Sequence, residues 1–476
     1  MGAPDPIPLF GLGVQEKSRP ANAQRRVNLY YELQQDRDRA VMVAYKTPGL
    51  DSPFVNFGDT AARGVIWPRK SDYCFFVHRS TLWQVDNVGT TVSRGTLNTA
   101  AGKVSMAENG TQIGIVDGTN GYTYTLASTA FAQILDAQFP NGARTIDVLD
   151  GYFVVDSGAD DGEFYISDYQ NGASWPGDFG TAESNPDGIL RVMTDHQDLV
   201  HFGASSIEYW ANTGAADFPF ERIPGTTQEV GLAARWSAVE YDGSIAFLAL
   251  SKEGQVFAAV LRNYRPQRIS NHDLEAKWSK YSVTSDAIGG AYVLDGHPMY
   301  VLSFPTQGAT WLHDGSTGAW TELVSHGLNR HRGEHYFTYL GRTYVTDYQN
   351  GKVYRVNSET FTDNGDPIRW EIVGRHLFDG FSKMRVSRFQ LDIEAGVGLT
   401  IGQGSDPQVV LEVSKDGGRT WGNERWKKIG KKGEYKGRVV WGPCGRGRDF
   451  TFRVSGSDPV KTAISGAGVL ASGGSS

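Results

Sequence analysis

Three groupings have residue types and spacings that could do chemistry. SKDGGRTW, from Ser414 to Trp421, carries the Asp-box pattern Ser-x-Asp-x-Gly-x-Thr-Trp, with Ser414, Asp416, Gly418, Thr420 and Trp421 at the fixed places. In that pattern the Ser and Asp side chains bond the turn's own backbone and the Trp packs beneath, so it folds a hairpin and supplies no reacting group. DSGADDGE gathers Asp156, Asp160, Asp161 and Glu163 among glycines. Clustered carboxylates can hold Ca²⁺, but the EF-hand spacing is missing, and a solvated loop tip fits better. His326, His331 and His335 are close in sequence, yet in an extended strand the last two lie about 13 Å apart, too far for one metal. GASSI (Gly203 to Ile207) fails as a Gly-x-Ser-x-Gly elbow at Ile207, and there is no phosphate-binding Gly-Lys-Ser/Thr loop. The expectation is a protein that is not an enzyme, with no catalytic residues, no cofactor and no metal.

Charge carries more information. Between Gly422 and Lys461 stand eleven Lys or Arg against four acids, a net of +7 in a chain whose formal total is −7. The remainder therefore carries −14, and charge is polarised along the chain. Arg425, Lys427, Lys428, Lys431, Lys432, Lys436 and Arg438 form the densest part and are the candidate docking residues for an acidic protein surface. A solvated strand face and contact with DNA phosphates are the other readings. With only Trp426, Tyr435 and Trp441 nearby to stack on bases, sequence-specific reading of nucleic acid is not expected.

The elements that position these residues are strands. Gly is abundant at 58 residues and aromatic residues reach 12%, a turn-rich composition that points to an all-β fold. Segments such as GYFVVD, AFLAL, PMYVLSF and RTYVTD are rich in Val, Ile, Tyr and Phe and are separated by turn residues, often Asp-Gly or Asn-Gly, which accept positive φ in tight hairpins. Comparable units begin near Gly64, Lys103, Arg144, Leu190, Trp236, Asp286 and Arg332, spaced 39 to 50 residues apart. Four short strands fill such a unit, and radial repetition makes a β-propeller of six or seven blades, the last completed by a strand from the start or end of the ring. The third unit carries a loop-like insertion from Tyr169 to Asp187.

The expected division is an N-terminal segment, 1–60, packing on a platform; a propeller, 61–367; a C-terminal β-sandwich or platform domain, 368–466; and a flexible tail, 467–476, ending in ASGGSS. Cys74 and Cys444 read as small buried hydrophobes, being too few for a disulfide scaffold or zinc site. No apolar run approaches the 18 or more residues that cross a bilayer, and MGAPDPIPLFGLG has no signal-peptide pattern. No membrane insertion is expected.

Several strings stand in one order along the chain: NAQRRVNLYYE (Asn22 to Glu32), TPGL (Thr47 to Leu50), NGTQIGIVDG (Asn109 to Gly118), LDGYFVV (Leu149 to Val155), FPFERI (Phe218 to Ile223), YRPQRIS (Tyr264 to Ser270) and GRTYVTDYQNGKVY (Gly341 to Tyr354). The C-terminal hundred residues, with GQGSDPQVVLEVSKDGGRTWGNE, KKIGKKGEYKGRVVW and SGSDPVKTAISGA, extend the series. Together, over roughly residues 22 to 466, the chain resembles the packaged-DNA stabilisation family, the tail nozzle or hub proteins of short-tailed bacteriophages. That resemblance implies a structural virion protein of the tail, assembled from the host cytoplasm as a homo-oligomer, a hexamer. It further implies a ring beneath the portal and its tail adaptor that extends the channel, retains packaged DNA, lets double-stranded DNA pass without specific binding, and seats tailspike and tip needle proteins. The alternative is a carbohydrate-binding or glycoside-cleaving propeller, suggested by the sialidase-like Asp box.

Overall fold

The structure, a computed structural model, describes residues 4–7, 9–13, 22–33, 42–69, 71–159, 161–182, 187–216, 218–380 and 382–473. Seven antiparallel blades follow one another around a ring. The first runs through Ala62–Ile66, Cys74–His78, Thr81–Val85 and Thr91–Thr96, and the sixth through Ile288–Leu294, His297–Phe304, Ala309–Asp314 and Ala319–Glu322. Inner hairpins turn where the sequence places Asp-Gly. Asp150 and Gly151 (φ 50° and 90°), Asp242 and Gly243 (49° and 70°) and Asp295 and Gly296 (49° and 87°) each put two successive residues in the left-handed region. That geometry matches the twist of the strands and selects these residues.

Each interface between neighbouring blades holds its own apolar cluster. Phe75, Ile113 and Tyr124 lie between blades one and two, Phe202, Phe247 and Tyr209 between four and five, and Leu248, Tyr300 and Trp311 between five and six. The one α-helix among the described residues, His272–Trp278, crosses from blade five to six; the Asn271 side chain caps it by accepting the Leu274 N–H at 3.0 Å, and it buries Trp278 against Phe304 and Trp320.

The seventh blade, Gly333–Tyr339, Arg342–Asp347 and Lys352–Asn357, is completed by the N-terminal part of the chain. Gly49–Leu50 and Val55–Asn56 pair antiparallel with Lys352–Asn357 and cover its edge. Cys74 is buried in the cluster that seals blades seven and one. The segment before residue 60 therefore divides, with only its earlier strands joining the sandwich. Blade three draws its outer strand, Phe179–Thr181, from within the expected insertion.

The sandwich has two sheets. One orders Leu29–Leu33, Met42–Lys46, Ala463–Gly473, Met384–Ile393 and Val439–Trp441; the other orders Arg25–Val27, Trp370–Val373, Asp449–Gly456, Gln408–Ser414 and Arg425–Lys428. Trp370, Phe389, Leu411, Trp441 and Phe452 fill the space between them, with Cys444 at its margin. The expected tail from 467 is corrected here: Ala463–Gly473 is an eleven-residue strand paired along one side with Met384–Ile393 and on the other with Met42–Lys46 and then Asp5–Ile7, with Ile464 and Val469 buried. Composition misleads because Gly, Ala and Ser read as linker, whereas the backbone ladder holds this strand. Residues 474–476 lie outside the described residues.

The second sheet is continuous with the propeller. Arg25–Val27 bridges the two units, pairing with Ala319–Glu322 of blade six on one side and with Trp370–Val373 on the other. Arg25 donates to Glu322 at 2.6 Å and Glu371 at 3.2 Å, and Lys277 adds a contact to Glu322 at 3.0 Å. Arg26 is buried, donates to the Trp320 carbonyl at 2.6 Å and to the Gly11 carbonyl, and lies over the Tyr31 ring. The Asn28 amide bonds the carbonyls of Val324 and Arg369 at 2.8 and 2.7 Å and accepts from the Val324 N–H at 3.0 Å. NAQRRVNLYYE thus encodes the joint, with Arg25, Arg26 and Asn28 each bonded to groups on both sides of it.

Candidate assembly surface

The second sheet ends on the hairpin Gln408–Ser414 and Arg425–Lys428, whose last strand has one neighbour only. The Asp-box residues build the turn between these strands. Gly417 and Gly418 take φ of 74° and 80° in succession, a conformation that strains residues carrying a Cβ. Ser414 is buried, accepts the Gly418 N–H at 2.8 Å and donates to Asp416 at 2.7 Å. Asp416 in turn accepts the N–H groups of Arg419 and Thr420 at 3.0 and 2.9 Å and the Thr420 hydroxyl at 2.6 Å. The Thr420 hydroxyl and amide, with Ser414, hold its carboxyl far below the ordinary range. Both carboxylate oxygens are used within the turn. Trp421 is half-buried rather than packed beneath, with the Arg453 guanidinium 4.3 Å over its ring and Glu412 holding that arginine at 2.5 and 2.6 Å. The box lies in the sandwich and not on a propeller blade.

Beyond the hairpin the chain folds back as a lysine-rich loop. Ile429 donates to the Pro407 carbonyl at 2.8 Å, Gly433 to Gly396 at 3.2 Å, and Lys431 through its backbone to the Glu434 carboxylate at 2.9 Å. The candidate docking residues divide in two. Arg425 is tied into the fold through the carbonyls of Gly442 and Pro443 at 2.7 and 3.2 Å, and Lys428 pairs with Asp406. Lys427, Lys431, Lys432, Lys436 and Arg438 are exposed and have no ion pair among the described residues. Apolar groups that the charge count did not single out share this end of the sandwich: Trp426 is 57% exposed, Tyr435 75% and Ile401 83%. Exposed aromatics of this kind are enriched at contact surfaces, whereas lysines stand at their rims.

Other candidates take structural places. Asp156 is buried and accepts the backbone N–H groups of Arg144 and Thr145 at 3.0 and 2.6 Å, so it anchors blade three. Asp161 accepts from the Ser157 hydroxyl and the Glu163 N–H, Glu163 takes the Tyr165 hydroxyl, and Asp160 lies outside the described residues. His331 accepts from the Gly333 N–H and contacts the Tyr336 hydroxyl, His335 contacts Lys103, and His326 is exposed. No helix among the described residues is long and apolar enough to cross a membrane.

Comparison with known proteins follows the same division. Residues 7–361 match the family described as Bacteriophage P22 Gp10, beta-propeller, and residues 369–472 match Bacteriophage P22 Gp10, beta-sandwich. The chain belongs to the P22 Gp10 family. Its tail hub protein gp10 relative from Salmonella phage P22 is 24% identical over 303 residues, an alignment that spans 59% of this chain and 60% of the relative. Solved structures are far more distant. The extracellular domain of the two component system BT4673 from B. thetaiotaomicron is 8% identical with a TM-score of 0.45, covering 66% of this chain and 40% of that one. The computationally designed Ika8 protein is 11% identical with a TM-score of 0.38, covering 75% and 100%. Likenesses at that level carry no argument about function. In the P22 Gp10 family frame, the C-terminal match contains both the Asp-box hairpin and the lysine loop.

Proposed function

We propose that the protein is a structural component of a short-tailed phage tail, a nozzle or hub that works by assembly and closure and makes or breaks no covalent bond. The observation that carries this reading is the match of both units, in order, to the propeller and the sandwich of P22 Gp10. The working state is a ring of six copies below the portal and adaptor, prolonging the channel, retaining packaged DNA and seating tailspike and tip needle proteins. The propeller and the sandwich act as its two working units, the sandwich running to Gly473 and taking in strands from before residue 60. The sandwich docks toward the adaptor through Lys427, Lys431, Lys432, Lys436 and Arg438, with Trp426 and Tyr435 supplying apolar contact. Support comes from the polarised charge, since a lysine-rich edge attracts an acidic rim and unlike surfaces suit head-to-tail rings.

DNA passes along a wall that is neutral to acidic. A lysine-lined wall would gather phosphates by counterion release and slow the exit of a genome, and the chain outside the basic stretch carries −14. Particles assembled without the protein should package DNA and then leak it; stable full particles lacking it would overturn the retention role. The purified protein should bind DNA weakly at physiological salt.

A further inference from the structure

Arg330 ends the loop between blades six and seven and has no place in the docking surface. It is only 6% exposed, its guanidinium carbon lies 3.6 Å from the centroid of the Tyr348 ring, and Nη1 has no hydrogen-bond partner among the described residues. A guanidinium cannot shed its proton, so burial cannot be relieved by neutralisation. The nearby carboxylates have other contacts, Asp286 accepting the Thr306 N–H at 2.7 Å with one oxygen. Glu334 pairs with Lys103, while Asp363 and Asp366 lie 2.8 and 3.2 Å from Arg332. Asp347 accepts the Tyr354 hydroxyl at 3.0 Å. Buried cations in folded proteins are paired, and among the described residues Arg330 has no ion pair, its charge reaching the Glu334 carboxyl only as a weaker influence behind that of Lys103.

The side chain lines a cavity of about 380 Å³ whose wall includes Tyr348, Asn329, Thr306 and Gln307. We propose that this cavity binds a carboxylate, taken by the fork of the Arg330 guanidinium while Tyr348 holds that fork flat from one side. A planar, singly charged group matches one guanidinium in both shape and charge. A doubly charged phosphate would call for a second cation, and the rest of the named wall offers only amides and hydroxyls. The carboxylate arrives either as a free small anion or as the side chain of an Asp or Glu on another polypeptide.

Thermal unfolding of the full chain in sodium acetate, set against sodium chloride at equal ionic strength, tests this. The expected result is a saturable rise of several degrees in acetate for the parent and none for Arg330→Gln. Asn329→Asp, which puts a carboxylate on the cavity wall, should raise the midpoint in chloride and remove the acetate response. A rise that does not saturate, or one equal in the parent and Arg330→Gln, would overturn the site. Should Arg330→Gln not fold, an undiminished acetate response in Asn329→Asp overturns it alone. A hexaglutamate peptide that saturates at a tenfold lower carboxylate concentration than acetate assigns the site to a partner's acidic segment; equal concentrations assign it to a free anion.

Discussion

Two arginine- and lysine-rich regions of this molecule use the same charge in opposite ways. At the joint, Arg25 and Arg26 meet two carboxylates and two carbonyls drawn from both units, and Asn28 bonds the backbone of Val324 and Arg369. In the lysine loop, Lys427, Lys431, Lys432, Lys436 and Arg438 stand in water without an ion pair among the described residues. The difference teaches where each charge acts. A cation whose partners lie within the chain holds the fold, and removing it leaves buried groups unsatisfied. A cation with no partner in the chain is available to another molecule, and removing it should leave the fold alone.

The sharpest way to break the comparison is at the joint. Arg26→Ala should destabilise the protein by about 3 to 4 kcal/mol, since each charge-assisted hydrogen bond to a buried acceptor is worth roughly 1.5 to 3 kcal/mol. Denaturant unfolding measures this, and a parent-like midpoint would mean the joint is not held as described. Acid tests the same joint through Glu322. Burial alone would raise its carboxyl, but the Arg25 hydrogen bond and the Lys277 charge outweigh burial and leave it below the ordinary glutamate range. A depressed carboxylate stabilises the fold above its unfolded value of about 4.3 and loses that contribution as pH falls toward the folded value. Glu322→Gln should therefore narrow the gap between midpoints at pH 7 and pH 3.

The Asp box comes next. Asp416→Ala should lower the unfolding midpoint, because the Arg419 and Thr420 N–H groups and the Thr420 hydroxyl lose their acceptor. Trp421→Ala should cost less than a fully buried tryptophan would, with the lost Arg453 contact worth about 1 kcal/mol. A Trp421 effect as large as that of Arg26 would show that this ring is core after all. Smallest in stability is the lysine loop: the fourfold change of Lys427, Lys431, Lys432 and Lys436 to Glu should leave the midpoint nearly unchanged while association with portal–adaptor complexes is lost. That association should weaken with salt in the parent, over a Debye length of about 8 Å at physiological strength.

Much of the fold was legible because its signals are local. Asp-Gly turns mark the inner hairpins, and the regular spacing of Val, Ile, Tyr and Phe segments marks the seven units. Ring closure was not legible in detail. Gly49–Leu50 and Val55–Asn56 are two-residue strands, too short for alternation to register, and their partner lies some 300 residues away in blade seven. The last strand was hidden by its small residues, whose place is set by neighbours on both sides. At the candidate surface, counting charge found the lysine loop but could not separate Arg425 and Lys428, which the fold engages, from the cations it leaves exposed. Trp426 and Tyr435 entered the sequence reading only as rings to stack on bases, because exposure is a property of the fold. Arg330 gave no signal at all, since an unpaired buried cation is defined by the absence of a neighbour.

The most direct measurement is electron microscopy of the full-length protein added to purified portal–adaptor complexes, alongside the fourfold Lys→Glu variant. The parent should add a six-fold ring below the adaptor, with the sandwich toward the adaptor and the propeller pointing outward, and the variant should remain free and folded. A ring of other symmetry, no ring, or a ring formed equally well by the variant would contradict the account.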